Sequence, residues 1–246
     1  KIVVKQILSE ICDTYDVSYV HIGSDEVRIK DTSFVPEMTR LLEARGKKVI
    51  GWQPGGNFSL TTIRQLWRED ANRSFIVEGV PYIDSRHLYL NHHDPEESTV
   101  TIFNRKIANR QQGDQFALGA ILCLWHDRNV GREDDVLKMN PVYPGMLAFA
   151  ERIWRGGGQA KWIANVSDGD AVAFAAFENR MMDHKQLYFT GKEFPYQRQT
   201  NIQWDLYGPF ANEGNVNRVF DIEKWKNGYS LPKPSKQVVG GTIVMR

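Results

Sequence analysis

Along the first 155 residues the apolar positions switch back and forth between a helical and a strand period, and this switching constrains the fold more than any other feature of the chain. Lys1 to Thr14 places Ile2, Val3, Ile7, Leu8, Ile11 and Cys12 at helical spacing, which predicts an amphipathic helix. Tyr19 to Val27 follows as a strand-forming run. Pro36 to Arg45 returns to the helical period, with Gly46 placed to end it, and Lys48 to Trp52 is again strand-like. Ile63 to Glu69 reads as helical, Ser74 to Glu78, His87 to Asn91 and Leu118 to Trp125 as strands, and Pro141 to Arg155 as a helix. Such alternation is the rhythm of a parallel α/β sheet or barrel.

Composition excludes several partners. The 246 residues are 41% hydrophobic and 25% charged, as in an ordinary globular protein. With 31 basic and 30 acidic residues the net charge is +1, which gives no reason to expect nucleic acid or a charged membrane surface as partner. No apolar run approaches the length of a membrane span. Cys12 and Cys123 lie in apolar contexts, so packed thiols are expected rather than a disulfide framework.

Chemistry concentrates in Tyr19 to Val27, YVHIGSDEV, where an apolar run delivers Asp25 and Glu26 to its carboxyl end. In an eight-fold α/β barrel the active site lies where strands end. A solvated loop carrying two acids is the plain alternative. Adjacency also restricts the mechanism, because ordinary glycosidases set two carboxyl groups on opposite sides of the scissile bond. Neighbours on one strand end cannot easily straddle a sugar. If Glu26 is the general acid, the nucleophile must come from elsewhere, and a substrate 2-acetamido group held by Asp25 is the available candidate.

HIGSDEV resembles the His-x-Gly-Gly-Asp-Glu signature of the β-N-acetylhexosaminidases of glycoside hydrolase family 20. The likeness continues in GWQPG from Gly51, QLWRE around Trp67, HLYLN ending at Asn91, GAILCLWHD ending at Asp127 and YPGMLAFAERIW from Tyr143 to Trp154. The resemblance implies strands four to eight of a (β/α)₈ TIM-type barrel, a partial barrel with its first strands missing, since a complete one takes roughly 250 residues. It further implies domains at residues 1–155 (barrel portion), 156–190 (helical extension) and 191–246 (a truncated β-rich, sandwich-like region). An open barrel leaves strand edges and apolar interior exposed, to be covered by another copy or chain.

The family's site carries over residue by residue. By resemblance Glu26 is the acid/base, Asp25 orients the acetamide, Trp52, Trp67 and Trp125 wall the sugar, and Tyr89 donates to the acetamide oxygen. His21 supports the acid from behind, with a packed core histidine as the alternative. Asn91 stands where the family has Asp, Asp127 where it has Glu, Gln53 replaces an acid and Ser24 a glycine; these departures bear on substrate choice. His92, His93 and Asp94, followed by Pro95, Glu96 and Glu97, read as a polar loop rather than metal ligands, so neither metal nor cofactor is expected. The expected partners are N-acetylhexosamine-containing oligosaccharides or glycoconjugates, and the resemblance suggests a periplasmic or extracellular bacterial setting. A non-catalytic glycan-binding protein and an inactive enzyme fragment are the rival readings. Past Gly156 to Gly158, residues Asp168 to Tyr188 suit a long amphipathic helix, and Ile202 to Tyr207 and Val238 to Met245 suit strands.

Overall fold

The computed structural model describes residues 1–70, 72–91, 95–125, 132–160 and 162–199. They fall into two compact units, one of Lys1–His87 with Gly113–Ile121, the other of Leu88–Gln112 with the described residues from Leu122 onward.

The first unit is a five-stranded, wholly parallel sheet in sequential order, β1 (Tyr19–His21), β2 (Lys48–Gln53), β3 (Ile63–Leu66), β4 (Tyr82–Asp84) and β5 (Ala117–Ala120). Helices α1 (Ile2–Thr14) and α2 (Phe34–Glu43) belong to the same unit. α2 buries Val35, Met38, Thr39 and Leu42, the i, i+3, i+4, i+7 stripe of a helix with one covered face. Gly46, at φ +74°, makes the left-handed turn that releases the chain into β2. Leu42, Val20 and Val49 form a core onto which Leu8, Cys12 and Val17 pack. Lys1 and Lys5 clasp the start of α2, with Lys1 Nζ 2.8 Å from Asp31 and 2.7 Å from Glu37, and Lys5 Nζ 2.9 Å from Glu37.

Side chains alternate across a strand, so the pairings Gly51 with Arg64 and Arg64 with Tyr82 put these residues, with Val49 and Leu66, on one face of the sheet. That face is buried. Phe58 seals it by lying on Gly51, where an added Cβ would sit 2.0 Å from the ring. The Arg64 guanidinium stacks on the same ring at 4.9 Å and donates to the Phe58 and Ser59 carbonyls at 3.2 and 2.9 Å. The opposite face carries His21, Ile50, Trp52, Ile63, Gln65 and Ile83, of which Ile63 and Gln65 on β3 are buried.

Four expected elements are corrected here. Ile63 to Glu69 is not helical, because Ile63–Leu66 forms β3, every residue buried between β2 and β4; Ile63 and Leu66 imitate a helical period by chance. Ser74 to Glu78 contains no strand, which falls instead at Tyr82–Asp84, where Tyr82 and Asp84 are buried. The His87 to Asn91 strand shrinks to a parallel bridge between Tyr89 and Cys123, and the Leu118 to Trp125 strand to β5 plus that bridge.

The second unit is helical, built of α3 (Pro95–Asn104), α4 (Asp134–Met139), α5 (Val142–Arg155) and α6 (Ala171–Tyr188). Pro95, Glu96 and Glu97 open a helix, and α3 is buried along its whole length; the polar loop expected at His92, His93 and Asp94 lies outside the described residues. It packs against α5, whose Arg152 donates to the Phe103 carbonyl at 2.5 Å and the Gly156 carbonyl at 2.6 Å. Asp170 caps α6 by accepting from the Ala173 N–H at 2.9 Å. Glu178, fully buried on α6, accepts from the Tyr196 hydroxyl at 2.7 Å and from the Gln199 N–H. Cys12 and Cys123 are not joined in a disulfide. Among the described residues no helix is long and apolar enough to cross a membrane. The strands expected at Ile202 to Tyr207 and Val238 to Met245 lie outside the described residues.

Candidate functional site

In the first unit, the chain leaves β1 through Gly23 and Ser24, at φ +64° and +72°, and Glu26 also takes a positive φ of +48°. This turn presents Asp25 half-buried and Glu26 exposed. Its stem continues the ladder, with the Ile22 N–H donating to Ile50 at 2.9 Å and the Trp52 N–H to the Gly23 carbonyl at 3.1 Å. The Gly56 N–H donates to Ser24 Oγ at 3.2 Å, tying the acid-bearing loop to the glycine loop after β2. Both glycines there are required by space, since a Cβ on Gly55 would lie 2.0 Å from the Trp52 carbonyl and one on Gly56 2.8 Å from Ser24 Oγ.

Trp52 packs edge-on against the His21 imidazole at 5.1 Å. Trp67 sits just past β3, and its Nε1–H donates to the Pro54 carbonyl at 2.8 Å, so this ring is fixed to the loop that follows Trp52. Gln53, at the end of β2, is half-buried. His21 Nδ1 accepts from the Gly23 N–H at 3.0 Å. Desolvation lowers the His21 pKa below the ordinary imidazole value, against the upward pull of a hydrogen bond with Gln65 and of the Asp25 carboxylate. His21, Trp52 and Trp67 thus lie at the carboxyl ends of β1, β2 and β3, with Asp25 on the loop that leaves β1. Alongside lies an apolar cavity of about 570 Å³ between α1 and α2, walled by Leu8, Ile22, Val27, Phe34 and Met38. Neither carboxylate nor either tryptophan lines it.

In the second unit Tyr89, Asn91 and Trp125 form a cluster of their own. The Tyr89 and Trp125 rings lie 6.4 Å apart, edge to face. The Trp125 N–H donates to Asn91 Oδ1 at 3.1 Å, and the buried Asn91 side chain therefore orients the Trp125 segment. Asp127, His92, His93 and Asp94 lie outside the described residues. Among the described residues no group of three or more His, Cys, Asp or Glu is placed to hold a metal.

Sequence reasoning missed Gln65 and Ser85, whose side chains hydrogen-bond at 2.9 Å on the Trp52 side of the sheet. A polar residue two places before Trp67 in a short apolar run was the available signal, and the helical reading of that run hid it.

No protein-family model matches the chain, and no curated protein sequence matches it. Solved structures do. The family 20 exo-β-N-acetylglucosaminidase from Vibrio harveyi, in complex with N-acetylglucosamine, superposes with a TM-score of 0.53 over 81% of this chain and 36% of that one, at 18% identity. The family 20 chitobiase from Flavobacterium johnsoniae gives a TM-score of 0.51 over 77% of this chain and 33% of that one, at 16% identity. The chain spans about a third of the length of these enzymes. Over that span it shares the α/β fold of the family 20 β-N-acetylglucosaminidases.

Proposed function

We propose that this chain is the portion of a family 20 β-N-acetylhexosaminidase-like catalytic barrel containing strands four to eight, acting on terminal N-acetylhexosamine of oligosaccharides or glycoconjugates. The observation that carries the reading is the acid pair, delivered by a left-handed turn at the carboxyl end of β1 beside Trp52 on β2, in a sheet with the fold of the N-acetylglucosaminidases. Barrel chemistry gathers at that end of the strands.

In this reading Glu26 protonates the departing glycosidic oxygen while Asp25 orients the 2-acetamide, whose carbonyl oxygen attacks the anomeric carbon. The C1–O bond breaks as the acetamide oxygen bonds to C1, giving an oxazolinium ion and the free aglycone. Water, deprotonated by Glu26, then opens the ring with net retention. Trp52 on β2 and Trp67 just past β3 supply an aromatic wall for the sugar. Orientation by such a wall is worth much of the barrier when the attacking oxygen is held in contact with the anomeric carbon.

The test is Glu26→Gln in the full-length protein, assayed on 4-nitrophenyl N-acetyl-β-glucosaminide. Turnover should fall by about 10²- to 10⁴-fold with sugar binding retained. Normal turnover in Glu26→Gln contradicts the reading. A wild-type protein that binds N-acetylglucosamine without any hydrolysis would instead identify a glycan-binding module.

A further inference from the structure

Gly56 and Asn57, neighbours on the loop after β2, both reach the loop that carries the acid pair, and they reach it at opposite ends. The Gly56 N–H donates to Ser24 Oγ at 3.2 Å, one residue before Asp25. Asn57 Nδ2 donates to the Thr32 carbonyl at 2.7 Å, where the acid loop runs into α2. A carbonyl can only accept, so the Asn57 amide must turn its NH₂ toward Thr32. Ser24 and Thr32 are thereby drawn to adjacent points of one short segment, and Asp25–Asp31 between them is closed into a loop with its ends together. Close packing around the segment agrees. A Cβ on Gly55 would lie 3.1 Å from the Ser24 carbonyl, and one on Gly56 3.1 Å from Val35 Cγ2 in the first turn of α2.

An asparagine on a free loop could hold nothing, but this segment is fixed to the sheet on both sides of Gly56 and Asn57. Before them, Trp67 Nε1–H holds the Pro54 carbonyl at 2.8 Å. After them, Arg64 Nη2 holds the Phe58 and Ser59 carbonyls at 3.2 and 2.9 Å, from a guanidinium that is buried and stacked on the Phe58 ring. The acid loop needs such support, because Ser24 and Glu26 both take positive φ, a conformation that persists only where the surroundings impose it. Lys1 ties Asp31 independently at 2.8 Å, so releasing Asn57 loosens the far end of the loop without detaching it.

We infer that Asn57 is a positioning residue for the acid pair. By joining the exit of the acid loop to the segment that already holds its entrance, it sets how far the loop opens and so where the Glu26 carboxyl stands. Its service to Glu26 rests on the proposed function, whereas the closure of the loop is a property of the protein that is measured without substrate.

The test is hydrogen-exchange mass spectrometry on the full-length protein and its Asn57→Ala and Asn57→Asp variants. One peptide covers Asp25–Phe34, in which the Ile29 and Phe34 N–H groups bond to the Val27 and Asp31 carbonyls at 3.1 and 3.0 Å and report opening of the loop. A control peptide covers Tyr19–Ile22, whose Ile22 N–H belongs to the β1–β2 ladder. Both variants should exchange about fivefold faster in the first peptide, the change expected from one lost hydrogen bond, and at the wild-type rate in the second. On 4-nitrophenyl N-acetyl-β-glucosaminide kcat should fall about tenfold with KM within about twofold, because the acid is misplaced while the aromatic wall is untouched. Unchanged loop exchange in both variants overturns the inference. Equal acceleration of the control peptide overturns it too, since the bond would then serve general stability. Faster loop exchange with unchanged kcat overturns the service to Glu26. A wild-type protein without turnover contradicts the hydrolase reading, and the exchange comparison then decides the closure of the loop by itself.

Discussion

Ser24 sits at φ +72°, in the left-handed region where a residue with a Cβ costs about 1–2 kcal/mol relative to glycine. Its hydroxyl offsets part of that cost by accepting from the Gly56 N–H at 3.2 Å, a bond with a net value of about 1 kcal/mol. Two substitutions separate the contributions. Ser24→Ala keeps the Cβ and loses the bond, so the protein should be about 1 kcal/mol less stable. Ser24→Gly loses the same bond but relieves the backbone, while freeing the unfolded chain at a cost of about 0.5–1 kcal/mol, so it should lie within about 0.5 kcal/mol of wild type. Urea unfolding followed by tryptophan fluorescence reads both. The reasoning fails if Ser24→Ala is as stable as Ser24→Gly, since the two differ in the Cβ that the left-handed turn penalises.

Gly51→Ala would drive a methyl into the Phe58 ring and should cost about 1–3 kcal/mol in urea unfolding, whereas wild-type stability would mean that Phe58 does not seal that face. Leu42→Ala empties a fully buried position in the core with Val20 and Val49 and should cost about 2–5 kcal/mol by the same assay. Hydrogen bonds from Lys1 lead in holding the Asp31 and Glu37 pKa values down to about 2, with Ser33 and Lys5 assisting. Depressed carboxylates contribute stability above their unfolded pKa and lose it as pH falls through the folded one, so this clasp should persist to about pH 2. A carboxyl NMR titration in Lys1→Met should return both midpoints toward 3.8 and 4.5, and unmoved midpoints would show that the clasp is not their cause.

The α/β class and the parallel sheet were legible because α2 and β2 carry clean periods with glycine punctuation at Gly46. β3 was not legible. Its four residues are covered on both sides, so Arg64 and Gln65 are buried polar groups satisfied by partners remote in sequence, and polarity no longer reports which way a residue faces. α3 was hidden for a similar reason, because Glu96 and Glu97 look like solvent residues until the fold gives Glu96 the Gln197 N–H at 3.0 Å. At the site, Asp25, Glu26 and Trp52 stood out as a motif. What the motif could not convey is how the loop is held, because the anchoring runs through His21 Nδ1 and Ser24 Oγ, which meet the Gly23 N–H across a turn and the Gly56 N–H on another loop.

The central claim is that the acid pair works on a sugar that brings its own nucleophile. The full-length protein should therefore hydrolyse a 4-nitrophenyl β-glycoside bearing a 2-acetamido group and leave its 2-hydroxy counterpart uncleaved under the same conditions. Comparable rates on the two glycosides would show that a protein group attacks the anomeric carbon, and would contradict the roles given to Asp25 and Glu26.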